Sequence, residues 1–484
     1  MTNTPNIVLI HVDQFRYDMI GAHGNEVVRT PNLDRLVADG ASFPNAFSTC
    51  PICTPARASL MTGAWPTTHG VLGNASTDFY RPARRELPAL TQLLADAGYH
   101  VAMVGKYAGE LEGAPTDYGV HRYISDREYR VWADRNGVAN VGGRGGLFGT
   151  VLREVAPESS SLAFQADRVI EVLRDAIEAR DTGGGGTRGG RGGGGRFFVR
   201  WDPPEPHLPY RPTAPFFELY DGVRIPPWPS FPDPLRGKPA PIARQRFLWG
   251  IEGWSWDDWE PTVRLYYAII SELDHHVGRV LAAIDEAGAR DDTIVIFSTD
   301  HGDYIGGHGL MDKHFSMYDD IVRVPLIVRG PSVIEPGARP AGFVSQEIDI
   351  ARTILDVAGI ETPSSFVGRN LIDGDAAEPR TDIYSQYFGT ESGMYSSRML
   401  RDERWKFVWN PLDVDELYEL ENDPGEISNL IDVPDHADRI SAMKRRLADW
   451  MQTVGDKLLN TWTRIELLDE PDIATRARSE GADE

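Results

Sequence analysis

The feature that most restricts the fold is a series of short, unbroken apolar runs, separated by stretches with helical spacing. Ile7-Val8-Leu9-Ile10 is β-branched and lacks polar alternation, so it reads as a strand buried on both faces, with Asp13 and Gln14 just past its C-terminal end. Residues 99–104, 197–201 and 293–298 repeat the pattern, while 31–40, 87–98, 161–180 and 263–287 carry the apolar spacing of amphipathic helices. Strands alternating with helices predict an α/β fold with a largely parallel sheet covered on both faces. Ligands of such sheets gather beyond the C-terminal ends of the strands. Asp13, Lys106, His207 and Asp300 all stand just after a predicted strand, so polar residues converge there before any motif is considered.

Charge and cysteine content narrow the function. Lys plus Arg number 49 against 72 Asp plus Glu, a formal charge of −23 that repels a phosphate backbone and argues against nucleic-acid binding. Only six of the basic residues are lysines, which draws attention to Lys106 and Lys313. Two cysteines, Cys50 and Cys53, cannot staple 484 residues in the manner of a disulfide-rich secreted protein. The first apolar run is too short and too soon interrupted for a secretory signal, and no run of about 20 apolar residues offers a membrane span. These features predict a cytoplasmic protein without a membrane partner.

Residues 1–375 read as one large domain. Within it, 183–195 holds ten glycines in 13 positions and reads as a flexible insertion; its Arg188 and Arg191 also give it the look of an arginine–glycine RNA-binding segment. A helix over 344–359 would close this domain. Residues 376–484 read as a smaller α+β domain, with antiparallel strands over 382–387, 396–401 and 406–410, a helix over 440–454 and a frayed acidic tail. Five of the 12 tryptophans (228, 249, 254, 256 and 259) crowd one Pro-rich segment, either to anchor an irregular loop or to stack a ring or cation.

The sharpest motif is Cys53-Thr54-Pro55-Ala56-Arg57-Ala58-Ser59-Leu60-Met61-Thr62-Gly63. It resembles the C-x-P-[S/A]-R-x-x-L-x-T-G element of sulfatases, and six fixed residue types coincide by chance on the order of 10⁻⁸ per position. The resemblance implies that a formylglycine-generating enzyme oxidises Cys53 to formylglycine. One hydroxyl of the aldehyde hydrate would attack sulfur, and the other would expel sulfate by C–O cleavage. Pro55 and Arg57 belong to the sequence read during that maturation, and Arg57 could also steady a developing alkoxide. Two other readings of the stretch are a Cys50-x-x-Cys53 redox pair and inert core cysteines.

The resemblance runs along nearly the whole chain. Asn6-Ile7-Val8-Leu9-Ile10-His11-Val12-Asp13-Gln14 is similar to the family's opening strand, and Thr299-Asp300-His301-Gly302 to its second metal element. They imply one divalent ion held by Asp13, Gln14, Asp300, His301 and residue 53. Oxygen ligands suit Ca²⁺, whereas the imidazole moves preference towards Mn²⁺. Gly105-Lys106, Pro206-His207-Leu208-Pro209-Tyr210 and Lys313-His314 match further family elements, which imply that Lys106 and Lys313 hold sulfate oxygens and that His207 assists the leaving alcohol. Asn74 is a further candidate for the substrate pocket. Glu416 to Glu426 resembles the family's C-terminal E-L-Y-D-L-x-x-D-P-x-E element.

Two departures stand out. Gln14 and His301 replace the commonest Asp and Asn, as in choline-sulfatase-like and phosphonate-monoester-hydrolase-like branches. The histidine of the G-K-W-H element falls at Ala108, with Tyr107 as one residue that could replace it. The resemblance therefore implies an alkaline-phosphatase-like fold and hydrolysis of a small-molecule or saccharide sulfate monoester. A phosphonate monoester or phosphodiester hydrolase using the same groups, or a non-catalytic oxyanion-binding protein, are the alternatives.

Overall fold

The computed structural model describes residues 4–78, 80–138, 146–181, 195–330, 335–372, 378–389 and 393–475. All but Gly195 of the glycine-rich insertion, the expected boundary at 375 and 376, and the acidic tail lie outside them.

Among the described residues, nine strands precede residue 350: β1 (Asn6–Val12), β2 (Ala41–Ser42), β3 (Ala46–Phe47), β4 (His100–Gly105), β5 (Arg122–Ser125), β6 (Phe197–Asp202), β7 (Thr293–Thr299), β8 (Leu326–Arg329) and β9 (Val344–Ser345). Seven of them form a sheet in the order β2-β8-β7-β1-β6-β4-β5. β1 lies at its centre, parallel to β6 (Ile7 opposite Phe198) and to β7 (Ile7 opposite Ile294). The sheet is parallel from β7 to β5 and ends in an antiparallel edge, β8 and β2.

Every residue of β1, β6 and β7 is buried, which is why these runs show no polar alternation. Successive side chains serve opposite faces. Val8 and Ile10 join the apolar layer of helices Pro31–Asp39, Ser161–Asp181 and Trp256–Glu286; Ile7 and Leu9 join that of Leu90–Asp96 and Gln346–Val357. The Trp256–Glu286 helix starts seven residues before the expected 263. Pro261 hid its first turns in the sequence, but Ser255 and Asp258 cap its start, with the Ser255 N–H donating to Asp258 Oδ2 at 2.9 Å, and Trp256 and Trp259 bury its first face. The tryptophans act as anchors here. Trp228 Nε1 donates to the Ile305 carbonyl, Trp256 Nε1 to that of Ile225, and Trp254 packs edge-on against Trp259.

A second, antiparallel sheet follows in chain order: β10 (Asp382–Gly389), β11 (Tyr395–Asp402), β12 (Trp405–Trp409) and β13 (Glu416–Glu419). β13 is an addition to the three strands expected, since residues 416–426 read in the sequence as a motif with a turn. The Ala437–Thr453 helix covers one face through Met443, Leu447 and Met451. The other face shares an apolar cluster with the loops beyond β3 and β7, joining Ile383, Met399 and Val408 to Cys50, Ile52 and Tyr304. The smaller sheet thus buttresses the segment that leads into Cys53. Among the described residues no helix is long and apolar enough to cross a membrane.

Candidate active site

The ends of two adjacent parallel strands and the start of one helix build the site. β1 delivers Asp13 and Gln14, the latter at φ 63°, and β7 delivers Asp300 and His301. Cys53 opens the Cys53–Thr62 helix. Pro55 falls within the first turn, where a backbone N–H has no helical acceptor, so its missing donor costs nothing. Gly63 ends the helix in the left-handed region (φ 63°), where a Cβ would lie 2.2 Å from the Phe366 ring. The fixed glycine of the motif is therefore a packing requirement.

Asp13, Cys53, Asp300 and His301 are all buried, and a ligand atom from each lies within 4.8 Å of those of the others. His301 Nδ1 is 2.8 Å from the Gly302 carbonyl, which leaves Nε2 facing Cys53 Sγ at 3.2 Å. Sγ is also 3.8 Å from Asp13 Oδ1. Two carboxylates and an inward-facing imidazole at these separations fit one divalent cation. Gln14 lies beside this group: its backbone N–H donates to Asp300 Oδ1 at 3.1 Å, its Nε2 to Asp303 Oδ2 at 2.7 Å, and its Oε1 accepts from Lys313 at 3.0 Å. Cys50 and Cys53 do not form a disulfide with each other.

The cationic groups arrive from three directions. Lys106 follows β4 and its ammonium binds Asp13; its backbone N–H donates to the Asp202 carbonyl at 2.7 Å. Gly105 permits that approach, since at φ 112° a Cβ would sit 2.1 Å from the same carbonyl. A bridge between Asp13 and Pro206 brings His207 alongside, with Nδ1 2.7 Å from the Leu208 carbonyl and Nε2 3.0 Å from Lys313 Nζ. Lys313 also donates to Gln14 and Asp312, each at 3.0 Å. Arg57 is fully buried, and its guanidinium reaches Asp300 through Nε (2.8 Å), Asp202 through Nη1 (2.8 Å) and the Val12 carbonyl through Nη2 (3.2 Å).

This arrangement sets the protonation states. Burial opposes ionisation of Asp300, but Arg57 beside it holds the carboxyl at about 2. Burial likewise disfavours a charged His301, yet Asp300 and Cys53 raise it to about 9. For Cys53, burial and Asp13 push the thiol up, while Lys106, Lys313 and His301 together bring it well below its ordinary value. The cationic pocket thus favours the thiolate form of Cys53.

Asp202 was not singled out in the sequence, although it ends β6 as Asp13 and Asp300 follow β1 and β7. It ties Arg57 to Arg200, whose Nη2 lies 2.7 Å from it. Tyr107 spends its hydroxyl on Leu111, donating to the carbonyl at 2.7 Å, and Ala108 gives its N–H to Glu110. The imidazole beside Cys53 is that of His301. Asn74 Oδ1 accepts from the Thr54 N–H at 3.2 Å, next to the start of the helix. Cys53, Asn74, Lys106 and His207 line one cavity of about 1240 Å³, whereas Lys313, only 2% exposed, does not line it.

Comparisons with known proteins identify the family. The profile of the family described as Sulfatase matches residues 5–142 and 205–360, and that of "N-sulphoglucosamine sulphohydrolase, C-terminal" matches 306–453. An uncharacterized sulfatase, YidJ, of Escherichia coli K12 is 29% identical, covering 93% of this chain and 88% of its own. An arylsulfatase of Clostridium perfringens is 28% identical, with 94% and 97% covered. Among solved structures, a phosphonate monoester hydrolase of Agrobacterium radiobacter superposes with a TM-score of 0.77 at 23% identity, over 93% of this chain and 96% of that one, which establishes the shared fold. The chain belongs to the sulfatase family of the alkaline phosphatase superfamily and is a sulfuric ester hydrolase.

Proposed function

We propose that the enzyme cleaves a sulfate monoester to an alcohol and inorganic sulfate, with residue 53 as formylglycine beside one divalent cation. The observation that carries the reading is the convergence of Asp13, Cys53, Asp300 and His301, with Lys106 and Lys313 close by. A cation held by Asp13, Gln14, Asp300 and His301 would draw charge from the sulfate oxygens, as Ca²⁺ or Mn²⁺ could. Formylglycine, made from Cys53 by a formylglycine-generating enzyme, would supply the hydrate hydroxyls for attack on sulfur and for release of sulfate.

The remaining work falls to the chain's own side chains. Arg57 balances the buried carboxylates Asp13, Asp202 and Asp300 and so keeps them in place. Lys106 and Lys313 take the sulfate oxygens as preorganised donors. Lys313 donates to Nε2 of His207, so that nitrogen carries a lone pair; once sulfate has drawn the Lys313 hydrogen bond away, Nε2 can take up a proton from solvent and, as imidazolium, pass it to the leaving oxygen. Asn74 steadies the first turn of the helix that carries residue 53. The alcohol half lies in the cavity of about 1240 Å³, which has room for a saccharide or a small organic group.

Peptide mass spectrometry of active enzyme should find an aldehyde or its hydrate at residue 53, and Cys53→Ala should abolish turnover. Full activity with unmodified Cys53 would overturn the reading. On one preparation, an aryl sulfate should be hydrolysed with a higher kcat/KM than the matching phosphonate monoester or phosphodiester. The reverse order would replace sulfate as the substrate class.

A further inference from the structure

Two carboxylates line the same cavity and have no part in the chemistry above. Glu205 precedes Pro206 and His207, and Glu272 projects from the Trp256–Glu286 helix. Glu272 is 1% exposed; its Oε2 accepts from the Thr213 N–H at 2.8 Å, while Oε1 is buried without a hydrogen-bond partner. Glu205 accepts a long bond, 3.4 Å, from Gln165 Nε2. The side chains that most lower the two carboxyls are neutral donors: the Ser160 and Thr213 hydroxyls at Glu272, and the Ser161 hydroxyl and Gln165 amide at Glu205. Burial pushes both carboxyls up, Glu272 to about 7, with Glu205 adding to the push on Glu272 and Asp126 to that on Glu205.

A buried carboxylate oxygen without a donor is costly, and native proteins pair such groups. The cations around the cavity leave this wall unmet. Lys106 is bound to Asp13, and Arg127 and Arg130 are exposed. Arg211, partly exposed, keeps a buried Nε of its own without a partner.

We propose that this wall binds a primary ammonium group on the alcohol half of the ester, with Glu272 Oε1 accepting an N–H and Glu205 supplying the second negative charge. The proposal rests on the sulfate-ester reading and refines it. A quaternary ammonium offers Oε1 no N–H, and a hydroxyl brings a donor without charge, so a primary amine meets both needs. A charge-assisted hydrogen bond of this kind discriminates by roughly 10- to 100-fold.

The test uses matched probes: glucosamine 6-sulfate, glucose 6-sulfate and N-acetylglucosamine 6-sulfate. In the native enzyme kcat/KM should be about 10- to 100-fold higher for the free amine than for the other two. In Glu272→Gln and in Glu205→Gln the ratio should fall towards one, with melting temperature as the control for folding. Equal rates on the three esters in the native enzyme, or a preference that survives in both variants, would overturn the proposal. Should either variant fail to fold, the other and the native probe series decide. Failure of the sulfate-ester reading looks different, because then 4-nitrophenyl sulfate is not turned over either. In that case calorimetric titration with glucosamine, glucose and N-acetylglucosamine reads the subsite directly, and the absence of selective glucosamine binding refutes it.

Discussion

Lys313→Ala and His207→Ala test separately the roles proposed for two side chains that lie 3.0 Å apart. The three N–H bonds of Lys313 are all aimed, at Gln14, Asp312 and His207, each at 3.0 Å, so the ammonium is held before substrate arrives. Losing one preorganised charged donor to the transferred group costs about 3–4 kcal/mol, or 10²–10³-fold in rate, whatever the leaving group. His207 should behave otherwise. A general acid contributes about 10²–10⁴-fold where the leaving oxygen needs a proton, and much less for nitrophenolate, which leaves as a stable anion. The assay is kcat/KM for a series of sulfate esters from nitrophenyl to simple alkyl alcohols in both variants and the native enzyme. Lys313→Ala should give parallel losses across the series, and His207→Ala losses that steepen as the alcohol becomes less acidic. Removing Lys313 also takes from Asp312, 8% exposed, its nearest cation and leaves it His314 at 3.5 Å, which can cost several kcal/mol of stability, so melting temperature must show both variants folded at the assay temperature. Equal losses across leaving groups in His207→Ala would refute its acid role and leave it as an oxyanion-binding or structural residue.

Two further outcomes follow from the same geometry. Chelation should remove activity, and Asp13→Asn or Asp300→Asn should weaken metal retention measured by elemental analysis, because each removes a charge from the buried ligand group; fully active protein without stoichiometric metal would contradict this. Glu347, behind the site, accepts from the Thr49 N–H at 2.8 Å and lies 2.6 Å from Ser48 Oγ, and burial raises its carboxyl to about 8. The folded chain then holds this proton more tightly than the unfolded chain, whose carboxyl titrates near 4.3, so its contribution to stability is complete below about 4.3 and is lost as pH rises towards about 8. Glu347→Gln mimics the protonated form, so its melting temperature relative to the native enzyme should climb over that window; a difference that stays flat with pH would reject the assignment.

Much of this site was legible because its chemistry is tied to strand ends. A short, β-branched apolar run without alternation reads as a strand covered on both faces, and the residue after such a strand emerges at the C-terminal edge of the sheet. Asp13, Lys106 and Asp300 could therefore be placed together from sequence alone, and the Cys53 motif named the chemistry around them. The helix starting at Trp256 was read short, because Pro261 suggests a break unless the cap that precedes it is known to form. β13 was missed because four residues ending in a turn carry too little period to be distinguished from a loop.

What the sequence by itself determined was the chemical inventory and the order of elements, since both follow from local pattern: period, caps and turn residues act over a few positions. Tertiary structure alone decided which charges neutralise one another. Arg57 meets Asp202 and Asp300 across separations of 145 and 243 residues, Lys313 meets Gln14 across 299, and Glu272 keeps an oxygen without a partner. Those pairings depend on strand order and on exclusion of water, where charge interactions strengthen and an unmet acceptor becomes costly. No local pattern in the chain encodes them.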